Sequence, residues 1–277
     1  MKFDARLWPA RADLASGALE GVTRASRFAE ARSRQVAAPV AAIRPSPDST
    51  AERVDELLFG EMFDVLDNQG DFVWGQARRD GYVGWVEAAA LSAERLMPTH
   101  WVSAPRTFAF AEASIKSPAT GPFSLNSLVR IDETTGNLAH GVGAGWIARA
   151  HLSPIGAAFR EPAATVLTFL GAPYLWGGRT SIGLDCSGLV QQALLAAGVA
   201  CPRDTDQQAD LGRATTPDAL ARGDLVIWGG HIGMMLDRRR LIHANAHHMA
   251  VVIEPLSHVV KRIREGAGGD PTHYRRL

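Results

Sequence analysis

Residues 184–190 combine the start of an apolar helix with one of the chain's two cysteines. After Asp185, apolar residues recur at helical spacing up to Ala197, and Gly198 provides a C-terminal stop. Aspartate is a natural N-cap, so we expect Cys186 in the first helical turn. The free amide groups and the helix dipole there favour a negative sulfur, which predicts a lowered thiol pKa. A free cysteine is more often simply buried, so a nucleophile needs support from the flanking sequence.

Composition limits the partners and the compartment that this chain can use. Its 277 residues suggest about two domains, and its 29 basic and 29 acidic residues give zero formal net charge. That balance argues against nucleic acid or a membrane as an obligatory partner. No apolar run has transmembrane length, and charges interrupt the N-terminus where a signal peptide is apolar. We expect a cytoplasmic protein, preferably a monomer, with two free thiols and no cofactor.

The N-terminal half shows two successive patterns of short strands. Residues 1–32 carry two helical patches, which predict a helical arm that packs on the body. Residues 33–96 contain short strands with turn signals every 8–12 residues, typical of a small barrel. Residues 97–155 are a weaker copy, in which Trp146 and its neighbours echo Trp85 at a distance of 61 residues. The sequence therefore predicts two small β-barrels after the arm.

The C-terminal part, residues 156–277, changes from helical to strand periodicity along its length. Helices at 161–170 and after Asp185 precede several consecutive strand patterns, which predicts an α+β domain. The predicted strands cover residues 224–228, 231–236, 241–244 and 251–253.

Two histidines of this region become a testable pair because they lie on neighbouring predicted strands. A nucleophilic cysteine needs a base, and the base needs a group that orients it. With a two-residue loop at 238–239, His243 and His231 would point to opposite faces of the sheet. A three-residue loop at 237–239 would place them on one face. A site made of Cys186 and both histidines therefore predicts an odd-length loop or a bulge.

The ordered motifs of residues 156–277 resemble those of NlpC/p60 cysteine peptidases, which are papain-like enzymes of the cell wall. The matching motifs lie at residues 176–178, 184–190, 202–208, 222–226, 231–233 and 242–244. Residues 33–96 resemble a bacterial SH3-like domain through the Asp-Gly-Tyr-x-Gly-Trp-Val segment at 80–86 and Leu91. Two upstream SH3-like domains are a feature of the subgroup similar to γ-D-glutamyl-L-diamino acid endopeptidases. Those enzymes cut murein peptides that carry a free N-terminal L-Ala.

The resemblance implies a role for each matching residue. Cys186 would attack the γ-amide carbonyl, His231 would act as the general base, and His243 would orient His231. Tyr82 and Asp185 match the positions that recognise the substrate amine in the subgroup. The remaining positions implied to bind substrate are Trp176, Ser187, Asp204 and Thr205. The expected reaction is cleavage of the bond between D-Glu and the diamino acid, in recycling of cell-wall peptides.

Several alternatives stay open at this point. A metal site at His243, His247 and His248 is disfavoured, because no cysteine or acidic residue stands at ligand spacing. Tyr82 is as compatible with a barrel core as with ligand binding. The same Cys/His chemistry would serve an acyltransferase or an amidase. A protein that binds wall peptides without cleaving them is the alternative outside enzymes, and the intact Cys186, His231 and His243 count against it.

Overall fold

The computed structural model describes residues 4–277, which divide into two compact units. The first unit ends at Ile155 and the second begins at Gly156. Within residues 4–277, no helix combines the length and the apolarity that a membrane crossing requires.

The N-terminal arm is not helical, so the prediction for residues 1–32 is wrong over the part that the structure describes. Three short elements replace the expected helix: β1 (Ala15–Ser16), a 3-10 turn (Gly17–Leu19) and β2 (Phe28–Ala29). Leu14 is fully buried in a cluster with Trp74 and Trp85 of the following barrel. Helical patches of this length are marginal in water, so the burial of Leu14 decides the conformation.

The remainder of the first unit consists almost entirely of short strands. They are β3 (Arg32–Val36), β4 (Val40–Ile43), β5 (Asp55–Leu58), β6 (Met62–Gln69), β7 (Phe72–Ala77), β8 (Val83–Glu87), β9 (Leu91–Ser92), β10 (His100–Val102), β11 (Arg106–Phe110), β12 (Ala119–Ser124), β13 (Leu128–Val129), β14 (Ile131–Thr135), β15 (Leu138–Gly141), β16 (Gly145–Ala148) and β17 (Leu152–Pro154). Two further 3-10 turns lie at Ala88–Ala90 and Arg149–His151.

Strands β3 to β9 enclose one hydrophobic core. Five of them form a sheet in the order β8-β7-β6-β3-β9, while β4 and β5 form a separate antiparallel pair. Alternate residues of both sheets, including Ile43, Phe63 and Val86, are buried together. Tyr82 belongs to the same core with 6% of its surface exposed, which agrees with the alternative that its role is structural.

Strands β10 to β17 enclose a second core. Their sheets have the orders β13-β10-β17 and β12-β11-β16-β15-β14, and Phe123 and Ile147 lie between them. The local order around Trp85 repeats around Trp146, because each tryptophan lies on a strand that is followed by a 3-10 turn and a short strand. The identification of residues 97–155 as a second SH3-like domain, and the limits of both domains, stay predictions.

The second unit contains the four α-helices of the described residues and eight strands. The helices are α1 (Pro162–Leu167), α2 (Cys186–Ala196), α3 (Thr205–Gln208) and α4 (Leu256–Glu265), with a 3-10 turn at Pro217–Ala219. The strands are β18 (Arg179–Thr180), β19 (Gly183–Leu184), β20 (Arg213–Ala214), β21 (Leu225–Trp228), β22 (His231–Met235), β23 (Arg240–Asn245), β24 (Ala250–Pro255) and β25 (His273–Arg276).

A six-stranded antiparallel sheet forms the centre of this unit. Its order is β20-β25-β21-β22-β23-β24, so the consecutive strands predicted from the sequence lie side by side. Helix α4 covers one face through Val259, which packs with Trp228 and Leu241. The helices precede the main strands in sequence, as expected for an α+β domain.

The hairpin between β22 and β23 has the odd-length loop that a two-histidine site requires. Met234 pairs with Ile242 and Met235 pairs with Leu241, and the amide of Leu236 donates to the carbonyl of Arg240 at 2.8 Å. The loop therefore comprises residues 237–239. Since side chains alternate between faces, His231 and His243 project from the same face of the sheet.

Candidate active site

Cys186 occupies the first turn of α2, as the sequence predicts. The Asp185 side chain accepts a hydrogen bond from the Gly188 amide at 2.7 Å, which caps the helix. The thiol is buried. Its Sγ lies 3.8 Å from Thr205 Oγ1 and accepts a hydrogen bond from the backbone amide of Ile232. Ile232 follows His231 directly in β22, so the fold brings the cysteine beside the first histidine strand.

The expected lowering of the thiol pKa is wrong. Burial, followed by the negative charge of Asp185, raises the pKa of Cys186 to about 11. Hydrogen bonds from Thr205 and the Ile232 amide favour the thiolate, but they do not offset the loss of hydration. The position of Cys186 in its helix predicts only that the helix dipole lowers the thiol pKa. The larger, opposite effect of burial depends on the tertiary packing. The thiol is therefore protonated at neutral pH until a base removes its proton.

The two histidines form a directly hydrogen-bonded pair. His231 Nε2 and His243 Nδ1 are 2.7 Å apart, and the ring centroids are separated by 5.0 Å. Burial and the neighbouring charge of His243 lower the pKa of His231 to about 3. Burial also lowers the pKa of His243, which is fully enclosed. Both imidazoles are thus neutral near pH 7, which is the state in which His231 can accept a proton.

The hydrogen-bonded chain continues to two residues that the sequence analysis did not identify. His243 Nε2 is 2.9 Å from Glu254 Oε2, and Arg262 donates to both oxygens of Glu254 at 2.6 and 2.7 Å. Burial raises the pKa of Glu254, but the hydrogen bonds from Arg262 and His243 outweigh it and bring the pKa to about 2. Glu254 lies near the end of β24 and Arg262 lies on α4, and no local sequence pattern connects them.

Asp185 makes an internal ion pair in addition to capping its helix. Arg203, almost fully buried, donates to both carboxylate oxygens at 3.0 and 2.6 Å. The Gly177 amide donates at 2.9 Å and Ser187 Oγ at 3.2 Å. Arg203 also donates to Ser187 Oγ at 2.8 Å. Five hydrogen bonds, including that of the Gly188 amide, engage the carboxylate, so a role of Asp185 toward a substrate stays a prediction.

The other residues that the resemblance implies occupy different environments. Thr205 is buried and faces the thiol, whereas the Trp176 side chain is 60% exposed. Asp204 caps α3 in a reciprocal arrangement with Gln207. Tyr82 lies in the first unit, within its barrel core. The structure therefore brings together Cys186 and Thr205, and it leaves the substrate roles of the remaining residues as predictions.

Tyr174 is a further residue of the site that the sequence analysis passed over. Burial, together with the charges of Cys186 and Asp185, raises the pKa of its hydroxyl. The hydroxyl is therefore close enough to sense the sulfur and stays protonated as a hydrogen-bond donor. Within residues 4–277, no group of three or more His, Cys, Asp or Glu side chains is arranged to hold a metal ion.

A buried thiol at the start of a helix that packs on the strand of a hydrogen-bonded histidine pair is the arrangement of a cysteine peptidase. Comparison with known proteins agrees. Residues 171–263 match the NlpC/P60 family, and residues 43–91 match the bacterial dipeptidyl-peptidase SH3 domain. The first match contains Cys186 and both histidines.

Relatives that resemble most of the chain establish the family. Dipeptidyl-peptidase 6 of Lysinibacillus sphaericus is 30% identical over 236 residues, which cover 76% of this chain and 86% of the relative. The γ-D-glutamyl-L-lysine dipeptidyl-peptidase of Bacillus subtilis is 25% identical over 228 residues, or 74% of this chain and 76% of the relative. The chain belongs to the NlpC/P60 family and is a cysteine peptidase, which confirms the resemblance found in the sequence.

A solved structure supports the fold over both units. The crystal structure of an NlpC/P60 family protein from Bacillus cereus matches with a TM-score of 0.74 and 19% identity. The match covers 88% of this chain and 99% of that one. At this identity the likeness concerns the fold alone.

Proposed function

We propose that this peptidase hydrolyses the bond between γ-D-Glu and the diamino acid in murein peptides that begin with a free L-Ala. The observation that carries the proposal is the buried Cys186 thiol, which is hydrogen-bonded to the amide of Ile232, the residue after His231, while His231 is hydrogen-bonded to His243. The name of the Bacillus subtilis relative, γ-D-glutamyl-L-lysine dipeptidyl-peptidase, supports the choice of bond.

The reaction follows from the protonation states of the site. His231 removes the thiol proton as Sγ attacks the γ-amide carbonyl carbon, and a C–S bond forms. His231 then gives the proton to the leaving amine as the C–N bond breaks. Water hydrolyses the thioester and restores the thiol. Burial favours the neutral forms of Cys186 and His231, which supports transfer of the proton during attack.

The oxyanion that forms during attack needs hydrogen-bond donors. The Cys186 amide at the helix start is one candidate. The protonated Tyr174 hydroxyl, close enough for its pKa to respond to the sulfur, is a second. Donors that the fold positions before substrate binds lower the barrier most effectively.

In this proposal, the free-amine requirement is assigned to Asp185, which matches the position that recognises the substrate amine in the subgroup. A charged amine hydrogen-bonded to a carboxylate contributes about 1.5–3 kcal/mol, so N-acetylation should lower kcat/KM by about 10- to 100-fold. The assay compares L-Ala-γ-D-Glu-diamino acid tripeptide with its N-acetyl form by product mass. Equal cleavage of the two peptides would refute the requirement, and products with an added amine acceptor would indicate acyl transfer instead.

Cys186→Ala supplies the control for the chemistry. Loss of the nucleophile should lower kcat by about 10⁴-fold or more, because comparable losses in serine peptidases reach about 10⁶-fold. Unchanged thermal unfolding would show that the fold persists. Turnover that survives this substitution would contradict the role of Cys186.

We further propose that the protein works in the cytoplasm, in turnover of imported wall peptides. Cys186 and Cys201 are both free thiols, as is usual in a reducing compartment. Fractionation of cells that express the chain tests this part, and recovery of the protein only outside the cytoplasm would contradict it.

A further inference from the structure

We infer that Glu254, held by Arg262, is a positioning residue of the peptidase that directs the free lone pair of His231 to Nδ1, where it can accept the thiol proton. The inference rests on the roles proposed for Cys186, His231 and His243. It concerns a carboxylate that touches neither the sulfur nor the scissile bond and acts through His243.

The first step is the immobilisation of the carboxylate. Arg262 donates through Nη1 to Oε1 at 2.6 Å and through Nη2 to Oε2 at 2.7 Å. Such a two-point contact restrains the rotation of the carboxylate about its terminal bond. The Glu254 side chain is only 13% exposed, so water competes weakly for its oxygens. His248 Nδ1, 3.7 Å from Oε2, is too distant for a direct hydrogen bond.

The second step is the proton on His243. An ionised carboxylate accepts hydrogen bonds and cannot donate them, so Nε2 of His243, 2.9 Å from Oε2, carries the hydrogen. A neutral imidazole has one N–H, which leaves Nδ1 of His243 as an acceptor. Asn245 Nδ2 lies 3.2 Å from the same Nε2 and would favour the other tautomer. The nearer, charged oxygen of Glu254 decides between them.

The third step is the position of the hydrogen on His231, the catalytic base, which follows from the tautomer of His243. His243 Nδ1 can only accept, so His231 Nε2, 2.7 Å away, donates to it. The single hydrogen of neutral His231 is then on Nε2, and its lone pair is on Nδ1. When the reaction begins, the proton leaves Sγ of Cys186 and arrives at this Nδ1. The Glu254 charge, passed through His243, then stabilises the imidazolium.

Glu254→Gln tests the inference because it changes the proton order with little change of shape. Arg262 would hold the amide oxygen and turn the NH₂ group toward His243 Nε2. His243 would carry its hydrogen on Nδ1, and His231 would then carry its own on the nitrogen that should accept the thiol proton. The related loss of the correct tautomer in a serine peptidase costs about 10⁴-fold in kcat, so we expect a fall of about 10²- to 10⁴-fold with little change in KM.

Two readouts separate positioning from general damage to the structure. Burial lowers the pKa of His231 and His243, and the Glu254 carboxylate raises it. Removing that charge should therefore lower the pKa of both histidines further and move the acid limb of kcat/KM to lower pH. His248 and Arg262, whose charges also lower the pKa of His243, remain in the variant. A mere loss of folded protein would lower the rate without moving the limb. Glu265→Gln, which removes an exposed carboxylate from α4, the helix that carries Arg262, should leave kcat within twofold.

Nitrogen NMR of imidazole-labelled protein gives a test that needs no variant to be active. In the unchanged protein, His231 Nδ1 should show the shift of a nitrogen without hydrogen, and in Glu254→Gln that of one with hydrogen. A protonated Nδ1 in the unchanged, neutral protein would overturn the inference, as would a Glu254→Gln variant within threefold of full kcat. Failure of the unchanged protein to cleave the tripeptide would instead refute the proposed function.

Discussion

Replacement of Arg203 by methionine should remove most of the stability of the catalytic unit. The Arg203 and Asp185 side chains are 1% and 9% exposed, and two hydrogen bonds of 2.6 and 3.0 Å join them. Methionine fills part of the volume but leaves the Asp185 carboxylate buried without its cation. Breaking a buried pair in this way costs about 3–5 kcal/mol in the free energy of unfolding.

That loss of stability should appear as a large decrease in Tm. For a unit of this size, 1 kcal/mol corresponds to roughly 3–5 °C in Tm, so we expect a fall of about 10–20 °C. The assay is calorimetry of the full chain, with hydrogen exchange at the amides of α2 to identify the transition of the catalytic unit. Arg264→Met is the matched control, because that arginine and its partner Asp270 are both about 60% exposed. A surface pair of this kind contributes about 0–1 kcal/mol.

A double variant shows whether the cost arises from the orphaned carboxylate. Adding Asp185→Asn to Arg203→Met removes the unpaired charge, so the double variant should recover about 1–3 kcal/mol relative to the single one. A single variant that loses less than about 1 kcal/mol would refute the reasoning. It would show that the Asp185 carboxylate is not held as a buried, internally paired charge, and it would favour its availability to a substrate amine.

Three further predictions follow from the geometry of the site. Because burial raises the pKa of Cys186 from 9.0 to about 11, its alkylation at pH 7 should be about 100-fold slower than that of a free thiol and should accelerate up to about pH 11. An alkylation rate that is already maximal below pH 7 would contradict this. Slow labelling alone does not indicate a non-catalytic protein. Gly188→Ala should destabilise the protein by about 1–3 kcal/mol despite the better helix propensity of alanine, because the added Cβ would collide with the carbonyl oxygen of Gly178. A higher Tm of the variant would contradict this close approach of Gly188 to Gly178. One glycine inserted into the loop at 237–239 should shift the β22–β23 register, turn His243 to the other face of the sheet and lower kcat by about 10²-fold or more. Two inserted glycines preserve the parity of the loop and should retain more activity. Equal activity of both insertions would contradict the register argument.

The features that the sequence predicted correctly depend on short-range order. Asp185 caps α2 because an aspartate before an apolar helix satisfies the free amides of the first turn. His231 and His243 share a face because side chains alternate along a strand and the loop between them is odd in length. Periodicity and caps involve neighbours within a few residues, so the sequence contains that information directly, whereas the odd loop length was only a condition for the two-histidine site.

The features that the sequence missed depend on groups distant in the chain. The helix predicted in residues 1–32 does not form over the described part, because a short helix has too little stability of its own and the conformation observed buries Leu14. The ion pair of Asp185 with Arg203 and the support of His243 by Glu254 join residues that no periodicity relates.

By itself, the sequence determined the peptidase family and the helix that begins at Cys186. Only the tertiary structure decided the length of the loop that places the two histidines on one face, the hydrogen-bond partners of His243 and the pKa of the thiol. The reason is that hydration and charge act through space: burial removes water from Cys186, while Asp185, Arg203 and Glu254 act across distances that the chain order does not encode. Local chemistry therefore identified the reacting groups, and packing set the state in which they meet a substrate.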